Sequence, residues 1–314
     1  MKNNSILKNS AFACVAAVFC TLLWGTAFPF IKLGYSTFEI SENDLGTKIL
    51  FAGIRFLLAG IMVYIFLCIS QRRFAVLHKS DFAKVFALGL TQTSLQYIFT
   101  YVGIGFTSGT NTSIITSCAS FITVLCAPLF FKSDKLTVLK ILGCLLGFSG
   151  VIAINGFGGL SLDTLFGDVL IFMSTLCAAG GNIISKKLAK GRNPVELTAF
   201  QLIFGGLLLT LIGIILGGKL DFGNINGVLI LLWLSVVSAV AFTIWTALLK
   251  YHPASKITIF NLLVPIFGTV LSGLMLGENI FRLETLVSLI LISLGIAAVN
   301  INIKAKNKNG KAQN

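Results

Sequence analysis

The sequence predicts an all-α membrane protein: ten transmembrane helices arranged as two inverted five-helix repeats. Three observations lead there. Of the 314 residues 56% are apolar and only 11% charged, against roughly a quarter charged in a soluble domain, and the mean hydropathy is +0.93. The apolar residues fall in runs of about 20, the length a helix needs to cross about 30 Å of hydrocarbon. Finally, two runs end almost identically, "GFSGVIAIN" at Gly147 to Asn155 and "ISLGIAAVN" at Ile292 to Asn300, 145 positions apart.

Reading between charged or turn-rich interruptions places spans at residues 11–34, 46–70, 82–104, 109–131, 136–155, 164–186, 196–217, 227–249, 256–276 and 282–303. Continuous apolar runs argue against a transmembrane barrel, whose strands alternate polar and apolar residues. The first run follows Lys2 and Lys8 as a signal peptide would. It is too long for one, and carries Trp24, Pro29 and Lys32 where a small-residue cleavage site belongs. The seven cysteines all fall within spans, without CxxC or Cys/His spacing, so they read as packing residues rather than as disulfides or metal ligands.

The formal net charge of +13 is distributed by side. With a cytoplasmic N-terminus, nineteen of the 24 Lys and Arg residues fall on inner segments, the largest groups being Arg72, Arg73, Lys79 and Lys84, then Lys186, Lys187, Lys190 and Arg192, then the tail from Lys304 onward. Outer loops hold only Lys48, Lys219 and Arg282. Basic residues stay on the cytoplasmic side, so both termini are placed there, in the cell membrane, and the charge is not read as a nucleic-acid surface.

Sliding the second half onto the first extends the shared ending. At the offset of 145, Phe106 meets Tyr251, Ser113 meets Thr258, Ser120 meets Pro265 and Gly150 meets Gly295. Earlier in each half the offset is 154, where "WGTAFPFIK" meets "AAGGNIISK", and loops absorb the difference. Each half, residues 1–157 and 158–314, then holds five spans. Five is odd, so the second copy enters from the opposite side. Inverted halves around a midplane site are a signature of secondary transporters.

Four stretches carry a family likeness: "WGTAFPFIKLG" in the first span, "RFLLAG" from Arg55, "GDVL" from Gly167 and "LVPIFGTVLSGLMLGENI" from Leu263. In order and spacing they resemble the drug/metabolite transporter superfamily and, within it, the ten-helix EamA-type permeases. The resemblance covers about Ala11 to Asn302 and implies a permease, more often an exporter, of a small metabolite. One departure stands out: Gly277 and Glu278 close the ninth span, whereas Lys132 and Ser133 occupy the matching place in the first half.

Polar side chains within spans are the candidate substrate-binding residues, since they cost free energy unless they face a cavity or a partner helix. Arg55 lies about nine residues into its span, where an Arg costs about 2.5 to 3.5 kcal/mol on insertion scales. It reads either as an outward-snorkelling anchor or as a contact for substrate or gate. Gln92 and Gln96, with Tyr97 and Tyr101, form stripes at intervals of four on the third span. They offer amide and phenol groups either to a solute or to neighbouring helices. Asn111 and Ser117 in the fourth span and Asn261 in the ninth are further candidates, as are Trp24 and Thr26 beside Pro29, Asn182 beside Gly180 and Gly181, and Trp245 as an aromatic wall.

Function follows from what is present and what is missing. The sequence has no GxxxxGK[ST] loop for ATP drive, and no HExxH or GxSxG to suggest an enzyme. No acidic residue sits clearly mid-span, so a buried carboxylate relay is not evident. The expectation is therefore a secondary transporter of a small organic metabolite such as an amino acid, working by alternating access without a cofactor. A receptor or structural membrane protein is the alternative, and monomer and homodimer both stay open. Reporter fusions after residues 75, 157 and 314 should read inside, outside and inside. An outside reading at the C-terminus would mean an odd number of spans and would end the inverted-repeat expectation.

Overall fold

A computed structural model describes residues 6–41, 43–107, 109–155, 165–276 and 283–301. Gly277, Glu278 and the basic tail from Lys304 lie outside them, as does the side chain of Asn111. The described residues are helical, without strands. In chain order the α-helices are α1 Ser10–Thr37, α2 Leu45–Gln71, α3 Lys79–Gly89, α4 Gln96–Ile104, α5 Gly109–Phe130, α6 Val138–Asn155, α7 Leu165–Ala189, α8 Pro194–Ile215, α9 Ile225–Tyr251, α10 Ala254–Thr258, α11 Leu263–Leu276 and α12 Leu283–Asn300. In hydrocarbon every backbone N–H and C=O must find its partner within the chain, and the helix does this locally.

Caps set the ends. The Asn9 side chain accepts from Ala11 N at 2.9 Å before α1, Asp44 accepts from Thr47 N at 2.8 Å before α2, and Asn193 caps α8 with Pro194 in its first turn. Arg72 closes α2 in the left-handed region at φ 52°, and Gly217, at φ 81°, follows α8 where a side chain would be strained. Among the described residues six segments are long and apolar enough to cross a membrane: α1, α2, α7, α8, α9 and the run Ala254–Met275. Their outward faces are apolar, with Ile215 81% and Phe66 62% exposed, as suits a lipid solvent.

The stretch expected as one regular span at 82–104 is divided. A π-helical turn over Leu90–Leu95 separates α3 from α4. Its hydrogen bonds run i to i+5 rather than i+4, so the interval of four between Gln92 and Gln96 does not keep them on one face as it would in an α-helix. A second break, the 3₁₀ turn Ile259–Leu262, joins α10 to α11 just before Pro265. Pro265 has no N–H to give to the turn behind it, which favours such a break.

The closest packing is between α2 and α8. A methyl group added at Gly53 would lie 2.4 Å from Thr210 N, and one at Gly206 would lie 2.3 Å from Leu57 N. At Gly60 the clash is with Ile203 N at 2.6 Å, and at Gly213 with Leu50 N at 2.5 Å. Numbers rise along one helix as they fall along the other, so the two run antiparallel. The contacts are also reciprocal: Leu50, Gly53, Leu57 and Gly60 lie 153 positions before Ile203, Gly206, Thr210 and Gly213. The pair α6 and α12 repeats the arrangement, Gly150 against Ser288 O at 3.0 Å and Gly295 against Gly143 O at 2.6 Å. Without a hydrophobic drive between helices in lipid, small residues that admit close backbone approach hold such pairs together.

Gly53→Val and Gly206→Val should each destabilise the protein by about 1–3 kcal/mol, the usual cost of overpacking. The two should be similar because their surroundings are reciprocal, and Gly191→Ala, with nothing within 4 Å, should be neutral. Thermal unfolding in detergent measures this; a Gly206→Val protein melting with the wild type would contradict the packing.

Candidate functional site

Where α2 crosses α8, between the Gly53 and Leu57 contacts, the chain places Arg55. Its side chain turns toward α9, is 3% exposed, and donates from Nε to Ser238 Oγ at 3.0 Å. Ser238 in turn donates to Leu234 O at 3.0 Å. The guanidinium lies 5.0 Å from the Phe56 ring centre. Among the described residues no carboxylate pairs with Arg55. A guanidinium taken out of water with so little compensation costs several kcal/mol. An anion with two oxygens is the complement that its planar fork fits.

Aromatic rings wall this centre. Trp24 lies 5.5 Å from Phe242 and 5.0 Å from Trp245, Phe56 lies 4.6 Å from Tyr97, and Tyr97 lies 6.2 Å from Tyr101, all between ring centres. Such walls hold an apolar or flat group and exclude water, which strengthens any charge pairing within.

Two turns further along α9, about 10 Å at 1.5 Å per residue, lies a second polar layer. Asn182 Oδ1 accepts from Trp245 Nε1 at 3.1 Å and from Gln92 Nε2 at 3.4 Å, and Gln201 Nε2 donates to Gln92 Oε1 at 3.0 Å. None of the four is more than 7% exposed. Beside them Thr198 donates to Thr246 at 3.1 Å. Gly181, with Gln92 Cβ only 2.6 Å from where its own Cβ would be, lets α7 approach closely enough for the amides to meet. Gln201 Oε1 is left without a partner among the described residues.

The expected site residues are thus divided. Arg55, Trp24, Tyr97, Tyr101, Gln92, Asn182 and Trp245 fall in the two connected layers. Gln96 is half-buried on α4, beside Tyr97 in the chain. Thr26 instead donates to Leu23 O of its own helix at 2.6 Å. Ser117 is buried on α5 and Asn261 sits in the 3₁₀ turn with a partnerless Oδ1 among the described residues; the two elements are tied by Ser120 Oγ donating to Thr258 O at 2.8 Å. The backbone of Asn111 lies in the first turn of α5. Sequence reasoning passes over Gln201, Ser238, Phe56 and Phe242. Gln201 is findable, as a lone amide in an apolar run, whereas Ser238 and the two Phe residues carry no local signal.

At the end where α7 and α9 finish, charges are tied down. Asp134 is 1% exposed, takes Lys140 Nζ at 2.6 Å and the Ser255 N–H at 3.0 Å, and also accepts from the Ser255 hydroxyl. Asp81 is bound by Arg192, whose guanidinium holds the Asp81 carboxyl below its ordinary pKa.

Apolar-surfaced helices enclosing an aromatic and polar centre form the architecture of a membrane transporter. The comparisons agree: the chain belongs to the EamA-like transporter family, whose model matches residues 11–156 and again 165–301. It is similar to an uncharacterised transporter of Archaeoglobus fulgidus, 28% identical over 281 residues that cover 88% of this chain and 94% of that one. It is also similar to the uncharacterised transporter YvbV of Bacillus subtilis, 27% identical over 300 residues covering 92% and 91%. A solved crystal structure superposes with a TM-score of 0.78 at 16% identity, covering 93% of this chain and 97% of the other, and shows likeness of fold alone.

Proposed function

We propose that the protein is a secondary transporter of the cell membrane that moves a small organic metabolite carrying a carboxylate, of which an amino acid is the simplest case, by alternating access. Export is the direction that the family likeness favours. In this reading ten spans form two inverted five-helix repeats, residues 1–157 and 158–314, with both termini cytoplasmic. The reciprocal glycine contacts of α2 with α8 and of α6 with α12 support it, as does the double match of the family model.

The observation that carries the function is Arg55, a buried cation without a carboxylate among the described residues, at the crossing of the two helices that relate the halves. A solute carboxylate completes it, while the rings of Trp24, Phe242 and Tyr97 take the rest of the molecule. The layer of Gln92, Asn182, Gln201 and Trp245 closes the path on the cytoplasmic side. Opening it breaks the hydrogen bonds among these four, which amide groups can remake with water or with a passing solute.

The test is counterflow in proteoliposomes with radiolabelled amino acids, nucleobases and amines, with membrane expression measured in parallel. The wild-type protein should exchange at least one carboxylate solute. Arg55→Ala should reach the membrane normally, since Ser238 keeps its bond to Leu234. Loss of charged hydrogen bonds worth about 1.5–3 kcal/mol each should weaken solute binding by at least about tenfold. Arg55→Lys should recover only part, because a point charge replaces the fork. Undiminished exchange by Arg55→Ala would contradict the role of Arg55; absence of exchange for every solute would favour a receptor.

A further inference from the structure

A recess of about 270 Å³ opens where α5, α7 and α9 end, walled by Phe131 and Tyr251 and lined by Lys186, Lys190, Lys250 and His252. It is several times one water's share of liquid, about 30 Å³, so it has room for a polyatomic anion. Among the described residues no Asp or Glu lines it. The nearby Asp134 is already taken by Lys140 and Ser255.

The lysines are first of all caps. Lys186 Nζ donates to Leu249 O at 3.0 Å and to His252 O, and Lys250 Nζ donates to Arg192 O at 2.7 Å. Such bonds satisfy carbonyls at helix ends, where cations also meet the negative end of the dipole. Capping does not use them up. An ammonium has three N–H donors, so Lys186 keeps one and Lys250 keeps two. Lys190 has no partner among the described residues and keeps all three. Caps that fix two of the ammonium groups also pre-orient the donors that remain, which lowers the cost of binding an anion.

The surroundings say which kind of anion. The last turn of α5, which leads into Phe131, turns Leu129 and Phe130 outward, 81% and 58% exposed. An apolar, lipid-facing surface therefore borders a basic recess at the end of the spans. Basic pockets between transmembrane helices take anionic head groups in this way.

We propose that this recess is a phosphate-anion site, filled by the head group of an anionic phospholipid, with Lys190, Lys250 and Lys186 as donors and the acyl chains along Leu129 and Phe130. The same chemistry would accept a soluble phosphate, and the experiment separates the two sources. This site is independent of the Arg55 centre and of what is transported.

The full-length protein is placed in nanodiscs of phosphatidylcholine alone or with phosphatidylglycerol, and sodium phosphate is titrated against the protein in detergent. Bound lipid is counted by native mass spectrometry and the unfolding midpoint is followed. Phosphatidylglycerol should bind and raise the midpoint where phosphatidylcholine does not. The double variant Lys190→Gln with Lys250→Gln should bind it about 25-fold more weakly, about fivefold for each lysine. Binding of sodium phosphate that depends on the same two lysines would establish the site with a soluble occupant instead. Equal binding of phosphatidylglycerol by wild type and double variant, with no lysine-dependent phosphate binding, would overturn the proposal. So would an equal loss in the control variant Lys79→Gln with Lys84→Gln, which removes two charges from the start of α3.

Discussion

The close approach of α2 and α8 is the contact on which the rest of the molecule depends. Glycines at 53, 60, 206 and 213 bring the two backbones together over four successive contacts, a distance that no side chain could bridge as tightly. Lipid tails are as apolar as leucine, so packing of this kind, rather than burial from water, is what holds one helix to another. It fixes α2 against α8 in antiparallel order, and that order sets Arg55 at the centre of the crossing. From there α9 supplies Ser238, and α1, α4 and α9 bring the aromatic rings around the guanidinium.

A second constraint is the cost of polar groups in this solvent. It sorts the ionisable residues. Asp134 with Lys140, and Asp81 with Arg192, are matched pairs near the ends of helices. The amides of Gln92, Asn182 and Gln201 are hydrogen-bonded in a chain that also takes the indole of Trp245. Among the described residues Arg55 is matched by no carboxylate, and Gln201 Oε1 and Asn261 Oδ1 are acceptors without donors. Hydroxyls of Tyr35, Thr93, Ser185 and Ser288 are also buried without partners there, and among such unmatched groups a buried cation is where a ligand gains most, because it removes a penalty as well as making a contact.

Much of this is legible in the order of residues. Length and continuity of the apolar runs place helices close to those observed for α1, α2, α7, α8 and α9, with ends extended by a few residues where caps such as Asn9 and Asn224 lie outside the apolar run. Arg55 and Asn182 announce themselves as polar groups in apolar surroundings. The division of the third helical stretch is not legible: Leu90–Leu95 contains no Pro and no Gly, and its π turn reflects Thr93 packing against Gly205 and Gln92 reaching Asn182 and Gln201. The glycines spaced by seven at 46, 53 and 60 could be read as a packing seam. Their partners on α8 become clear only through the reciprocal contacts. Ser238, which orients Arg55, has no mark that distinguishes it from other small residues of α9.

The central claim is that the Arg55 centre is reached from one face at a time. In a protein freed of its native cysteines, Ser185→Cys places a thiol one turn beyond Asn182 toward the end of α7 that the proposed orientation puts in the cytoplasm, and Tyr101→Cys places one within the aromatic layer itself. The reaction of these single variants with a membrane-impermeant thiol reagent, applied to each face with and without a transported solute, tests the claim most directly. The account predicts that the two thiols respond in opposite senses: the Ser185→Cys thiol reacts only from the cytoplasmic face, and only under conditions that protect the Tyr101→Cys thiol. Equal reaction of both variants under every condition, or reaction of Ser185→Cys from the outer face, would contradict it.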